Sequence, residues 1–320
     1  MKQYSALVRL YLISFFSFSL KPRKIGSKRD IKSFLKIFFF SLIFIGLLAD
    51  FAFIFITINT SVYKSLVYLG IPYFLFFNSA LTITALSLIF GFTSALSSYS
   101  LGAQEQLLLS LPISPRIFLA AKMTAIYCMD VFLSIFFMVC SLIVFGLNNA
   151  STPLLYIYGI VIAFLLPLPA VAVSYLIQVP LFSVFSFLRN KQFLMILGGI
   201  IGLCFAIAFN VYMQSMFTNQ DNLQWIAEQV AGPKAPVSVL GNYYPPAVLS
   251  MRALQNTGNI NGFLSLLTLF VICLIPPLCV TLALGSLYVA SLPGFSESFI
   301  KKLSQRERRS FFHAAFQKKP

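Results

Sequence analysis

The hydrophobic pattern of this chain is one of long blocks, not short alternations. Six blocks reach the roughly 20 apolar residues that a helix needs to cross a bilayer: 37–58, 66–96, 123–147, 154–177, 193–217 and 263–290. The expected fold is therefore all-α, a six-helix transmembrane domain over 37–290 between polar ends at 1–36 and 291–320. The second block exceeds a perpendicular span and should tilt or project. The fourth contains Pro167 and Pro169, with Pro180 just beyond, and should be kinked.

Basic residues give the direction. Lys and Arg are retained on the cytoplasmic side, and 20 of the 23 fall on one side of a six-span arrangement: nine up to Lys36, then Arg116, Lys122, Arg189, Lys191 and seven beyond residue 300. Both termini are expected in the cytoplasm, with the protein in the cell membrane. The net charge of +15 then reflects topology and contact with anionic lipid, and no nucleic acid is expected as a partner. The short apolar stretch Leu10–Leu20 is followed by Lys21, Pro22, Arg23 and Lys24 and then by a full span. This pattern argues against a cleaved signal peptide. Residues 3–20 are expected as a helix in the cytoplasmic interface, with Arg9 snorkelling.

Composition narrows the chemistry. With 59% hydrophobic and 10% charged residues, a soluble enzyme, a disordered chain and a disulfide-built secreted domain are excluded. Cys128, Cys140, Cys204, Cys273 and Cys279 lie in apolar runs without zinc spacing. They read as small buried apolar groups. No metal is expected, and the only His, His313, sits in the basic tail, far from what an intramembrane metalloenzyme requires.

The connection between the second and third blocks is the most specific stretch. Residues 103–111 (AQEQLLLSL) favour a helix that Pro112 ends, and Ser114 with Pro115 starts the next one, with Arg116 to Lys122 leading into the third span. Leu107, Leu108, Leu109 and Leu111 beside Gln104, Glu105 and Gln106 make the short helix amphipathic. Spacing alone leaves it either resting on lipid headgroups or docking another protein. The string EQLLLSLPISPRIFLAAK at this position resembles the cytoplasmic segment between the second and third helices of permease subunits of type-two ATP-binding-cassette exporters. The likeness of layout covers the whole chain, while about 20 residues carry the motif.

That resemblance implies a coupling helix around 103–111 that fits a cleft on a separate cytoplasmic ATPase subunit. Glu105 and Arg116 would make polar contact, Leu108 would be the apolar anchor, Pro112 and Pro115 would fix the joint angle, and Leu109 and Ser114 belong to the same coupling set. It also implies a second permease copy or a related permease completing a dimer. No phosphate loop G-x-x-x-x-G-K-[ST] is present in the chain. It is accordingly expected to be no enzyme and to hold no cofactor, with ATP and Mg bound by the partner ATPase.

Asp50 and Asp130 lie inside the first and third blocks. Each costs at least ~2.5 kcal/mol on insertion unless it faces protein or water. They are either protonated or hydrogen-bonded to neighbouring helices, or they serve a proton-coupled secondary transporter, the alternative function. Residues 218–262, with Trp225, Tyr243 and Tyr244, are expected to form short helices around 223–231 and 246–255 dipping into the outer leaflet, similar to the re-entrant segment of that family. They would act as an exit gate or as a lid. The basic tail reads as an amphipathic helix on the inner surface, with a calmodulin-like or nucleic-acid partner as a weaker alternative.

Overall fold

A computed structural model describes residues 2–16, 31–68, 70–99, 113–149, 152–184 and 244–291, with isolated helical positions at Ile196, Ile200, Cys204, Ile207 and Val211. The described chain contains α1 (Lys2–Phe16), α2 (Ile31–Tyr68), α3 (Phe74–Tyr99), α4 (Pro115–Asn148), α5 (Pro153–Leu165), α6 (Pro167–Val184), α7 (Pro245–Gln255) and α8 (Ile260–Ser291). Among the described residues, five helical stretches are long and apolar enough to cross a membrane: Ser41–Tyr68, Phe74–Ala95, Pro115–Asn148, Pro153–Ser183 and Ile260–Val289. The expected span 193–217, the coupling helix 103–111, the helix at 223–231 and the tail from 292 onward lie outside the described residues, apart from the isolated positions named above.

The boundary between the first two crossings is shifted from its expected place. Residues 59–65 looked like a polar connection, yet α2 runs through them to Tyr68. Its polar side chains are absorbed by the helix itself: Thr57, Asn59, Thr60, Ser61 and Ser65 each donate to the carbonyl one turn earlier. The chain turns instead at Gly70, whose φ of +76° is the left-handed conformation a glycine adopts without strain. Pro72 follows, and α3 starts at Phe74.

The fourth crossing is two rods, α5 and α6, meeting at Leu166. Pro167 has no N–H, so the carbonyl of Ala163 loses its helical partner. The Ser134 hydroxyl of α4 donates to that oxygen at 2.6 Å, and the Tyr127 hydroxyl, also of α4, donates to the neighbouring Phe164 carbonyl at 2.8 Å. Side chains of the adjacent helix thus repair the break, as a low-dielectric environment demands. Pro180 lies within α6, and Pro276 and Pro277 within α8.

α3, α4, α6 and α8 form the centre. One apolar cluster gathers the α2 end, α3, α4, α5 and α7 around Phe76, Phe137, Met138 and Phe145. The other gathers α1, α4, α6 and α8 around Phe118, Ile126, Tyr175 and Tyr288. Much of α2 is left uncovered, with Leu47, Phe53 and Ile54 exposed. The helix expected at 246–255 is present as α7, packed on α3 and α8 with Ala247, Ala253 and Leu254 buried. Of the cysteines, Cys140 and Cys273 are buried, whereas Cys204 and Cys279 are exposed, contrary to the expectation for all five; their small thiols face outward from apolar helices.

Candidate functional site

Glu105, Leu108, Leu109 and Pro112 of the expected docking surface lie outside the described residues. The joint that follows is described. Ser114 is extended, with φ −66° and ψ 137°, Pro115 occupies the first turn, and the Ser114 carbonyl accepts from the Phe118 N–H at 3.1 Å. The Ser114 side chain makes no capping bond. Proline at the first helical position supplies the φ the turn needs and lacks only an N–H that would have had no partner. Ser114, Pro115 and Arg116 are exposed.

From this joint α4 continues unbroken for 34 residues. Its start is clamped to α8: a Cβ on Gly285 would stand 3.0 Å from the Arg116 Cα and 3.1 Å from its Cγ. Only glycine permits that approach of two backbones.

Two turns further, Lys122 is fully buried, with 0% of its surface exposed. It was counted above among the cytoplasmic loop charges, but α4 carries it into the protein. Its ammonium donates to the Tyr288 hydroxyl of α8. It also lies 5.2 Å from the Tyr288 ring centre and 5.9 Å from that of Tyr11 in α1. Phe118 packs edge-on against Tyr11, and Tyr175 of α6 packs against Tyr288. Aromatic faces over a desolvated cation are worth about 2 kcal/mol each, which offsets part of the several kcal/mol of burying an ammonium. The cage joins α1, α4, α6 and α8 at one point. The clue in the sequence was Phe118 and Lys122 one turn apart, an aromatic and a cation on one helical face.

Two intramembrane carboxylates were expected, and the structure does not bring them together. Asp50 is exposed on the uncovered flank of α2. Asp130 is 2% exposed and faces α3 and α6. There, a Cβ on Gly91 would lie 3.2 Å from Asp130 Oδ2 and 3.4 Å from Ser174 Oγ. The Ser174 hydroxyl donates to Ala170 O at 3.0 Å, and Gln178 Nε2 donates to Phe92 O at 2.7 Å. Among the described residues, Asp130 Oδ2, Ser87 Oγ and Gln178 Oε1 meet no hydrogen-bond partner. This polar seam along α3, α4 and α6 can hold a proton or accept bonds from a cation or a hydroxylated group. Ser87, Gly91, Ser174 and Gln178 were not singled out in the sequence, because small polar residues inside an apolar block carry no periodic signal.

Among the described residues, no three His, Cys, Asp or Glu side chains gather as a metal site would require. All-helical there and with five helices able to cross a bilayer, the chain has the architecture of a multi-pass membrane protein. No family model, curated protein or solved structure matches it.

Proposed function

We propose that the chain is a permease subunit of an ATP-binding-cassette exporter, in the cell membrane with both termini cytoplasmic. It would pair with a second permease and take its energy from separate ATPase subunits docked at residues 103–116. The observation that supports this reading is mechanical. The joint at Ser114 opens directly into an uninterrupted α4, and α4 is fixed to α8 at Arg116 and to α1, α6 and α8 at Lys122. A force applied to the connection would tilt these helices together, as two-state alternating access needs. The cargo would be hydrophobic or amphipathic.

The test is copurification with an ATPase encoded beside this chain. Leu108→Arg and Glu105→Lys are expected to abolish association while the protein stays inserted; undiminished pull-down would overturn the reading.

The second reading is a proton-coupled transporter, and the buried Asp130, with an oxygen unpartnered among the described residues, favours it. Exposed Asp50 adds no support to it. Transport that survives ATP depletion, collapses with a proton ionophore and is lost in Asp130→Asn would establish this second reading over the first.

A further inference from the structure

A cleft of about 260 Å³ opens beside the α4–α8 contact. α4 contributes Ala120, Met123, Thr124 and Tyr127, and α8 contributes Leu274, Pro277, Leu278 and Thr281. Leu168 and Val171 of α6 form the back, and Tyr4 of α1 forms one lip. Arg116 pairs with Gly285 at one end, where the backbones touch, and Tyr127 and Leu274 face the cleft farther along. The two helices are therefore antiparallel, with the pinch at Arg116.

The walls bear four hydroxyls, and none has a proton to spare. Thr124 donates to Ala120 O at 2.8 Å, so Tyr4, 2.6 Å from Thr124 Oγ1, donates to Thr124. Tyr127 donates to Phe164 O, and Thr281 donates to Leu278 O at 2.9 Å. A polar ligand would find no donor here, whereas hydrocarbon would lose nothing. The mouth is apolar as well, since Leu274 and Leu278 are exposed, the latter 52%.

At the pinched end the chemistry changes. Arg116 lies on the same α4 face as Ala120, Met123 and Tyr127, at helical spacings of four, seven and eleven residues, and it is exposed. From Arg116 to Tyr127 is about 16 Å along the axis, close to half the ~30 Å hydrocarbon thickness. We propose that this cleft holds one acyl chain of an anionic phospholipid of the inner leaflet, with the lipid phosphate against Arg116. The occupant is argued from three matched features: apolar walls without a free donor, a mouth on exposed apolar residues, and a guanidinium one leaflet-depth from the far end. Guanidinium suits a phosphate through two parallel hydrogen bonds. The assignment to the inner leaflet rests on the cytoplasmic termini proposed above, and Arg116 is shared with the proposed docking segment, whereas the apolar cleft itself lies outside that segment.

Native mass spectrometry of the full chain in detergent, titrated separately with phosphatidylglycerol and phosphatidylcholine, tests it. One phosphatidylglycerol should be retained after bulk lipid is stripped, at least tenfold more tightly than phosphatidylcholine. Ala120→Trp, which fills the cleft, should weaken binding tenfold or more. Leu278→Trp at the exposed mouth should do the same and carries the test if Ala120→Trp does not fold. Arg116→Gln should bring the preference between the two lipids below twofold. Unchanged retention in a folded tryptophan variant, or a spread of lipid copies with no discrete one, would mean annular lipid only and would overturn the proposal.

Discussion

The ammonium of Lys122 in α4 donates a hydrogen bond to the hydroxyl of Tyr288 in α8, at a point where neither residue is exposed to solvent. The two residues are 166 positions apart in sequence, so this bond depends on the whole bundle having assembled. Bonds to a charged group contribute about 1.5–3 kcal/mol, and leaving the charge short of a partner costs more than replacing it with an apolar group of similar shape. Tyr288→Phe is therefore expected to lower the melting temperature of the detergent-solubilised protein by several degrees, and Lys122→Met by less. Equal losses in the two variants would show that packing, not the charge, governs this point.

Gly285 sets a backbone constraint on the motion proposed for α4. A Cβ there must move Arg116 backbone atoms 3.0–3.1 Å away, and backbone yields less readily than the end of a side chain. Gly285→Val should cost about 1–3 kcal/mol through overpacking. Gly46, whose added Cβ meets nothing within 4 Å, is the control. Gly46→Ala should leave the melting temperature unchanged or slightly raised, since alanine is the better helix former.

Tyr244 stands before α7 and donates to Thr84 Oγ1 of α3 at 2.9 Å, and Thr84 in turn donates to Ala80 O. Burial pushes the Tyr244 phenol well above its ordinary value of 10.0. The folded value is raised, so the stabilising contribution is complete below pH 10 and is lost as pH climbs from there toward the folded value. The unfolded chain releases the proton first, at up to about 1.4 kcal/mol per pH unit. The protection of residues 245–255 against hydrogen exchange, taken relative to the intrinsic base-catalysed rate, should therefore fall above pH 10. Tyr244→Phe should remove that slope while making exchange faster at pH 7. An identical pH slope in the variant would assign the effect to other groups.

The sequence revealed the broad plan wherever apolar length decides the outcome. The third and last spans fall within a few residues of α4 and α8, apart from the extension of α4 back to Pro115. Pro115 marked that start because proline at the first helical position is a local signal, while the Ser114 side chain makes no capping bond. The turn at Gly70–Pro72 was hidden, since Leu66 to Phe77 reads as one apolar run while Asn59 to Ser65 looked like a loop. Hydroxyl side chains bonding back to their own helix reversed that polarity signal. The fates of Asp50 and Asp130 were not legible either. Each is a carboxylate in an apolar block, and only the packing of α3 and α6 onto α4 buries one and leaves the other exposed. The same holds for Lys122, whose cage draws on four helices distant in sequence.

The break between α5 and α6 has a wider implication. Because the stranded oxygens of Ala163 and Phe164 are answered by Ser134 and Tyr127, the elbow is stitched to its neighbour and cannot flex alone. If α4 slides or rolls, either both halves of the crossing travel with it or two stitches tear, stranding carbonyls in oil. In the motion proposed for α4 the elbow would then act as a ratchet tooth, moving with its neighbour or not at all.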